Sequence, residues 1–406
     1  MPERVFGSFC DDLKALGRGR KLRHFARGEQ PGQINCDGRS LIDFSANDYL
    51  ALSHHPMLIE RACEWAQRYG AGSRASRLLS GNLEIFEAVE SKLAKMKKTE
   101  AALIMASGFQ ANVTILAALL DKEVHGVTPL VFADRLNHAS IHAGCKLAGV
   151  RQFRYRHNDL DHLETLLKEK TAVGRAEKSR PIFILSETVF SMDGDLADVG
   201  ALAALADRYG AFLYLDEAHA TGVFGDKGFG LSTLYPGGAH LVMGTFGKAL
   251  GCYGAYAACS GKLRDYLINR CKGLIYSTAL PPAILGSIDA AIDLVPGMDE
   301  DRARLLANAE ALRKDLIGKG FDCGLSGSQI IPLILGGDRE TLAAATRFEA
   351  QGILAPPIRP PTVPEGAARL RISLTSAHGE AELTALKDAA AGLEAGRGTL
   401  TRKATS

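Results

Sequence analysis

The chain has 406 residues, 46% of them apolar and 23% charged, with a net charge of +2 at pH 7. This is the composition of an ordinary globular protein of one or two domains, and so small a charge excludes a general pull toward nucleic acid or anionic membranes. The N-terminus meets Asp11 and Asp12 without the apolar core of a signal peptide, and the most apolar stretch, residues 101–120, is interrupted by Ser107, Gln110, Asn112 and Thr114. Eight scattered cysteines with no CxxC pair and no close His/Cys cluster point to free thiols in a cytoplasmic protein, not to disulfides or zinc.

In chain order, the first informative segment is Met105-Ala106-Ser107-Gly108-Phe109-Gln110-Ala111-Asn112, a turn of small residues opening a helix. Backbone N–H groups at such a start suit a phosphate, although any tight loop before a helix reads the same way. An apolar strand at 130–133 runs into Asp134-Arg135-Leu136-Asn137-His138, which places His138 either over a flat ring or in a structural role. His138 and His142 stand four apart, but without the glutamate of a zinc motif they predict no metal. A second strand, 181–185, ends in Ser186-Glu187-Thr188. An Ala-rich helix follows at 199–209, stopped by Gly210.

The strand at 211–215 ends in Asp216-Glu217-Ala218-His219, and the one at 241–245 ends beside Gly247-Lys248. A carboxylate at a buried strand end either caps a helix or keeps a pyridinium nitrogen protonated. A lysine among small residues is either a surface lysine in a turn or the partner of an aldehyde cofactor, with room for a flat ring. A nucleotide-binding P-loop is excluded, because Val242 and Ala249 occupy positions that need glycine and Ser or Thr.

Four apolar strands ending in polar residues, with helices between them, define an α/β domain with a mostly parallel sheet flanked by helices, whose ligand site lies beyond the strands' carboxyl ends. Beyond Pro281-Pro282 the pattern gives a helix running to about Val295, helices at 301–319 and 340–351, strands at 330–335 and 369–375, and a last Ala-rich helix. This is a smaller C-terminal α+β domain. The expected segments are 1–55, 56–292 and 293–406, with the last dozen residues a loose tail.

The order of these pieces, phosphate turn, histidine, carboxylate strand, lysine strand and late arginine strand, resembles the pyridoxal-phosphate enzymes of the aspartate aminotransferase fold. Within them it is similar to the α-oxoamine synthases, which join an amino acid to an acyl thioester with loss of carbon dioxide. The resemblance spans about residues 20–385. Further segments carry it: Phe44-Ser45-Ala46-Asn47-Asp48-Tyr49-Leu50, Val189-Phe190-Ser191-Met192-Asp193-Gly194-Asp195, Ile275-Tyr276-Ser277-Thr278, and Arg369-Leu370-Arg371. The most specific block, Arg359-Pro360-Pro361-Thr362-Val363-Pro364, points to one member of the family.

The resemblance implies a homodimer with its active site at the subunit interface. Lys248 would carry pyridoxal 5′-phosphate, Asp216 would pair with the ring nitrogen, His138 would stack on the ring and His219 would lie near its phenolic oxygen. Gly108, Phe109 and Thr245 would hold the phosphate, with Thr278 reaching it from the neighbouring subunit. Glu187 and Ser191 would lie beside the cofactor. Arg371 would take the amino-acid carboxylate with Asn47 nearby, Tyr276 would line the shared site, and Arg23 and Arg359 would lie toward the acyl substrate. The chain departs from the family at Arg74-Ala75, where small residues are usual, and at Phe86, where a histidine is common. Both lie in the segment expected near acyl entry. The basic run 18–24 is either a solvated helix end or an attraction for the phosphates of coenzyme A or an acidic carrier protein. The rivals are another α-oxoamine synthase, acting on glycine with an acetyl donor, and a non-catalytic subunit of this fold, against which the presence of both Lys248 and Asp216 counts.

Overall fold

The computed structural model describes residues 3–172 and 180–393; the expected C-terminal tail lies outside them. The described residues form two compact units, one made of 48–172, 180–191 and 196–302, the other of 3–47, 192–195 and 303–393.

The first unit is built on seven strands: β1 (Ala101–Met105), β2 (Leu130–Asp134), β3 (Gln152–Tyr155), β4 (Ile182–Glu187), β5 (Phe212–Asp216), β6 (Leu241–Thr245) and β7 (Ala255–Cys259). Their order in the sheet is β1-β7-β6-β5-β4-β2-β3. Strands β3, β2, β4, β5 and β6 pair in parallel, and β7 runs antiparallel to both β6 and β1. The sheet is therefore mixed, mostly parallel as its apolar runs predict. Successive residues point to opposite faces, and both faces are covered. Val131, Ala133, Leu185 and Tyr214 join one apolar cluster. Leu130, Phe132, Ile184 and Leu213 join the other. Continuous apolar runs are what burial on both faces requires.

Register decides where polar residues gather. Glu187 pairs with Asp216, and Asp216 with Met243. Ala255 pairs with both Met105 and Thr245, so β1 and β6 finish at the same end of the sheet on either side of β7. Helix α1 (Gly108–Leu119) starts there, with the Ser107 hydroxyl accepting from the Gln110 N–H. Helix α2 (Ala139–Leu147) packs against it through Gly144, where a Cβ would come within 2.8 Å of the Asn112 carbonyl oxygen. Only a glycine lets these two helices approach so closely. The helix Val199–Tyr209 is stopped by Gly210 at φ +59°, as its sequence predicts, and is capped at its start by Asp198.

In the second unit the N-terminal strands Phe25–Arg27, Gln33–Cys36 and Arg39–Asp43 form a sheet that Ile353–Leu354 joins in parallel. That pairing gathers residues 3–47 with the C-terminal part, so the units do not follow the three sequence segments. A second sheet has the order β8 (Ile330–Gly336), β10 (Ala368–Ser373), β9 (Pro357–Ile358). The loop 192–195 belongs to this unit: Asp193 pairs with Arg369 at 2.6 Å, and a Cβ on Gly194 would fall 2.0 Å from the Ile330 carbonyl oxygen.

Candidate active site

Three hydrogen-bonded groups converge beyond the strand ends of the first unit. In the first, Lys248 follows β6, and its Nζ lies 2.7 Å from His219 Nε2. The other ring nitrogen of His219 lies 2.7 Å from the Tyr49 hydroxyl.

In the second, Asp216 at the end of β5 accepts from Asn112 Nδ2 at 2.7 Å and from the Ala218 N–H at 2.9 Å. Asn112 is oriented in turn by the Tyr214 hydroxyl, which donates to its Oδ1 at 2.6 Å. All three side chains are buried. Burial lifts the Tyr214 phenol well above the ordinary range, with Asp216 and two cysteines adding, so it remains a donor.

In the third, His138 stands at the N-terminus of α2 and caps it: its Nδ1 accepts from the Ser140 N–H at 3.3 Å and lies 2.6 Å from the Ser140 hydroxyl. The His138 N–H donates to Glu187, whose own N–H donates to Asn137 Oδ1. Burial raises the Glu187 carboxyl well above its usual range; the neighbouring Asp216 adds to the rise and Lys248 opposes it. Partial desolvation lowers His138 from the usual histidine value, with Asp216 opposing and Lys248 reinforcing. His138 is exposed as a residue, and Phe109 stands edge-on to its ring at 6.5 Å between centroids.

The helix start lies beside these groups. The Thr245 hydroxyl donates to the Gly254 carbonyl at 2.8 Å and accepts from the Gly247 N–H at 3.2 Å. A Cβ on Gly108 would stand 3.8 Å from that of Thr245, filling the cradle between them. The N–H groups of Gly108 and Phe109 lie in the first turn of α1, where no intrahelical carbonyl reaches. Ser191 is buried in the same unit. Thr278 is exposed and bridges to Ser76, its neighbour Ser277 accepts from Gln110 Nε2 at 2.7 Å, and Tyr276 is 80% exposed.

The remaining expected residues lie in the second unit. Arg371 is buried on β10, donating to Ser373 Oγ at 2.6 Å and Asn47 Oδ1 at 3.2 Å. Arg23 makes a two-point contact with Glu349 at 2.7 and 3.0 Å. The Arg359 guanidinium donates to the Gly17 carbonyl, beside a cavity of about 1200 Å³ lined by Leu13, Arg18, Pro360 and Val363. Arg18, in the basic run, is paired with Asp338 and Glu365.

Of the two departures from the expected pattern, Phe86 has a local explanation and Arg74 has none. Arg74 sits at φ +65°, the conformation in which glycine is at ease. Phe86 is buried beneath the Arg77 guanidinium, 4.2 Å from its ring centre, so it serves the core. Sequence reasoning missed Tyr49, Asn112, Ser140 and Tyr214 as site residues, although Tyr49 and Asn112 stand within motifs it quoted. It also missed the buried pair of Lys97 and Glu217, which immobilises the turn after Asp216.

The chain belongs to the aminotransferase class I and II family of pyridoxal-phosphate enzymes, whose profile matches residues 39–389. Its α-oxoamine synthase character follows from its relatives. An 8-amino-7-oxononanoate synthase of Gluconacetobacter diazotrophicus is 52% identical over 391 residues, covering 95% of this chain and 96% of the relative. A Bordetella pertussis protein assigned to the same activity is 58% identical over 372 residues, 92% of each chain. Among solved structures, serine palmitoyltransferase of Sphingomonas wittichii superposes with a TM-score of 0.87 at 25% identity, covering 96% of each chain. An 8-amino-7-oxononanoate synthase of Francisella tularensis does so at 0.72 and 27%, covering 86% of this chain and 97% of that one.

The residues fit the cofactor. Pyridoxal phosphate needs an amine for its aldehyde, an acid for its ring nitrogen, a planar group for its face and donors for its phosphate. Lys248, Asp216, His138 and the Gly108–Thr245 cradle supply that set within one unit. Among the described residues no helix is long and apolar enough to cross a membrane.

Proposed function

We propose that this chain is an 8-amino-7-oxononanoate synthase, condensing L-alanine with a pimeloyl thioester to release carbon dioxide and a free thiol in biotin biosynthesis. The observation that carries the reading is the 52% identity to a synthase of that name, maintained across 95% of the chain. The Arg359–Pro364 block and the intact lysine, aspartate and histidine support it. The protein works as a cytoplasmic homodimer, a placement supported by its eight free cysteines.

Bound pyridoxal phosphate supplies the electron sink that lets the bonds at the amino acid's α-carbon break. Lys248 holds the cofactor, then removes the α-proton of alanine, with His219 and Tyr49 fixing its amine. Asp216, locked by Asn112, keeps the ring nitrogen protonated. Arg371 takes the substrate carboxylate by paired hydrogen bonds, and Asn47 and Ser373 fix the guanidinium. His138 donates to the thioester oxygen as negative charge develops there. The new carbon–carbon bond forms as the carbon–sulfur bond breaks and the thiolate leaves. The carboxylate then departs as carbon dioxide, and a proton is returned to the α-carbon. Gly108, Phe109 and Thr245 hold the phosphate with Thr278 of the partner subunit, and Tyr276 lines the shared site.

The test is product analysis by mass spectrometry after incubation with L-alanine and pimeloyl-CoA or pimeloyl-carrier protein. Formation of 8-amino-7-oxononanoate is the expected result. Turnover restricted to glycine with acetyl-CoA would move the chain to the glycine C-acetyltransferases.

A further inference from the structure

We infer that Asn112 and Ser140 are positioning residues that hold His138 as a ring with its proton on Nε2, and that they tie this choice to the orientation of Asp216. The inference rests on the function proposed above only for what His138 donates to; the proton's location follows from the hydrogen bonds.

An amide NH₂ group has two hydrogens, and that of Asn112 donates one to Asp216 Oδ2 at 2.7 Å and the other to Ser140 Oγ at 2.9 Å. The reverse orientation of the amide is excluded, because it would set the amide oxygen against the Asp216 carboxylate and turn the amide nitrogen toward the Tyr214 hydroxyl, which now donates to Asn112 Oδ1. Ser140 Oγ therefore accepts from Asn112, and its own hydrogen is left to donate. His138 Nδ1 lies 2.6 Å away, and the Ser140 backbone N–H, which can only donate, points at the same atom. Two donors on Nδ1 leave that nitrogen no proton of its own. In the neutral ring the proton is on Nε2, so that nitrogen is the one able to donate to a substrate oxygen.

Ser140, Asn112 and Tyr214 are each 1% exposed or less, so water does not compete for the bonds among these three side chains. The contact between the two helices exists because Gly144 brings α2 against Asn112. The charged groups that face His138 are Asp216 and Lys248, with Glu187 bonded to its backbone. The fall of its basicity below the ordinary value favours the neutral ring.

The experiment is ¹⁵N NMR of holoenzyme labelled in its 11 histidines, with the His138 signals identified by their loss in His138→Gln. A hydrogen-bonded, unprotonated Nδ1 and a protonated Nε2 at neutral pH are expected. A protonated Nδ1 overturns the assignment. Ser140→Ala should shift the Nδ1 signal and lower kcat about tenfold with the alanine KM unchanged, and Ser140→Thr should restore both. Asn112→Ala should shift the same Nδ1 signal although residue 112 does not touch the ring. Unchanged His138 signals in both alanine variants would remove the relay. Because the NMR reading needs no substrate, a chain that makes no 8-amino-7-oxononanoate would defeat the proposed function and leave this inference standing.

Discussion

The two units handle their charges in opposite ways. In the sheet unit, Asp216, Glu187 and His219 are buried and each is bonded to protein groups that set its direction. In the other unit Arg18 is engaged at the surface with Asp338 and Glu365, and Arg23 with Glu349, while Arg369 and Arg371 are buried on β10. Burial makes a charge expensive to misplace and so fixes it for chemistry. An exposed ion pair contributes little and is easily exchanged.

Lys248→Ala should reduce turnover at least ~10⁴-fold while circular dichroism stays unchanged, since the lysine is only half-buried and its loss leaves His219 bonded to Tyr49. Lys97→Met should destabilise the fold by about 3–5 kcal/mol, read as a fall in Tm, because it strands a fully buried Glu217 carboxylate. Replacing Glu217 by leucine as well should recover much of that loss.

In the second unit His378 is buried, stacked on Phe44 at 4.3 Å and lowered by burial to about 4. Its folded value lies below the unfolded ~6.5, so the unfolded chain binds the extra proton first. Stability should therefore be complete above about pH 6.5 and fall as pH drops toward 4, by up to ~3 kcal/mol. His378→Gln should flatten that part of the pH profile of Tm.

Smaller effects belong to the arginines. Arg371→Lys should raise the alanine KM about tenfold, because an ammonium cannot reproduce the paired contact of a guanidinium. Arg23→Ala should cost less than ~1 kcal/mol of stability and change the thioester KM less than about fivefold, as expected of an exposed pair with Glu349.

Much of this was legible in the residues. The strand ends at Glu187, Asp216 and Thr245 were visible because a sheet buried on both faces needs unbroken apolar runs, which stop where polar groups begin. Gly210 marked a helix end for a simple backbone reason. Asn112 and Ser140 carried no such mark. Their role depends on two helices meeting at Gly144, a contact between residues 28 apart that no local pattern reports. The joining of residues 3–47 to the C-terminal unit was hidden likewise, since it rests on the parallel pairing of Ile42 and Asp43 with Ile353 and Leu354.

The most direct test of the account is the stoichiometry of the reaction with L-alanine and pimeloyl-CoA, measured as product, carbon dioxide and free thiol together. One of each per turnover, abolished in Lys248→Ala, is the result the site requires. Release of thiol without carbon dioxide, or undiminished turnover in Lys248→Ala, would contradict it.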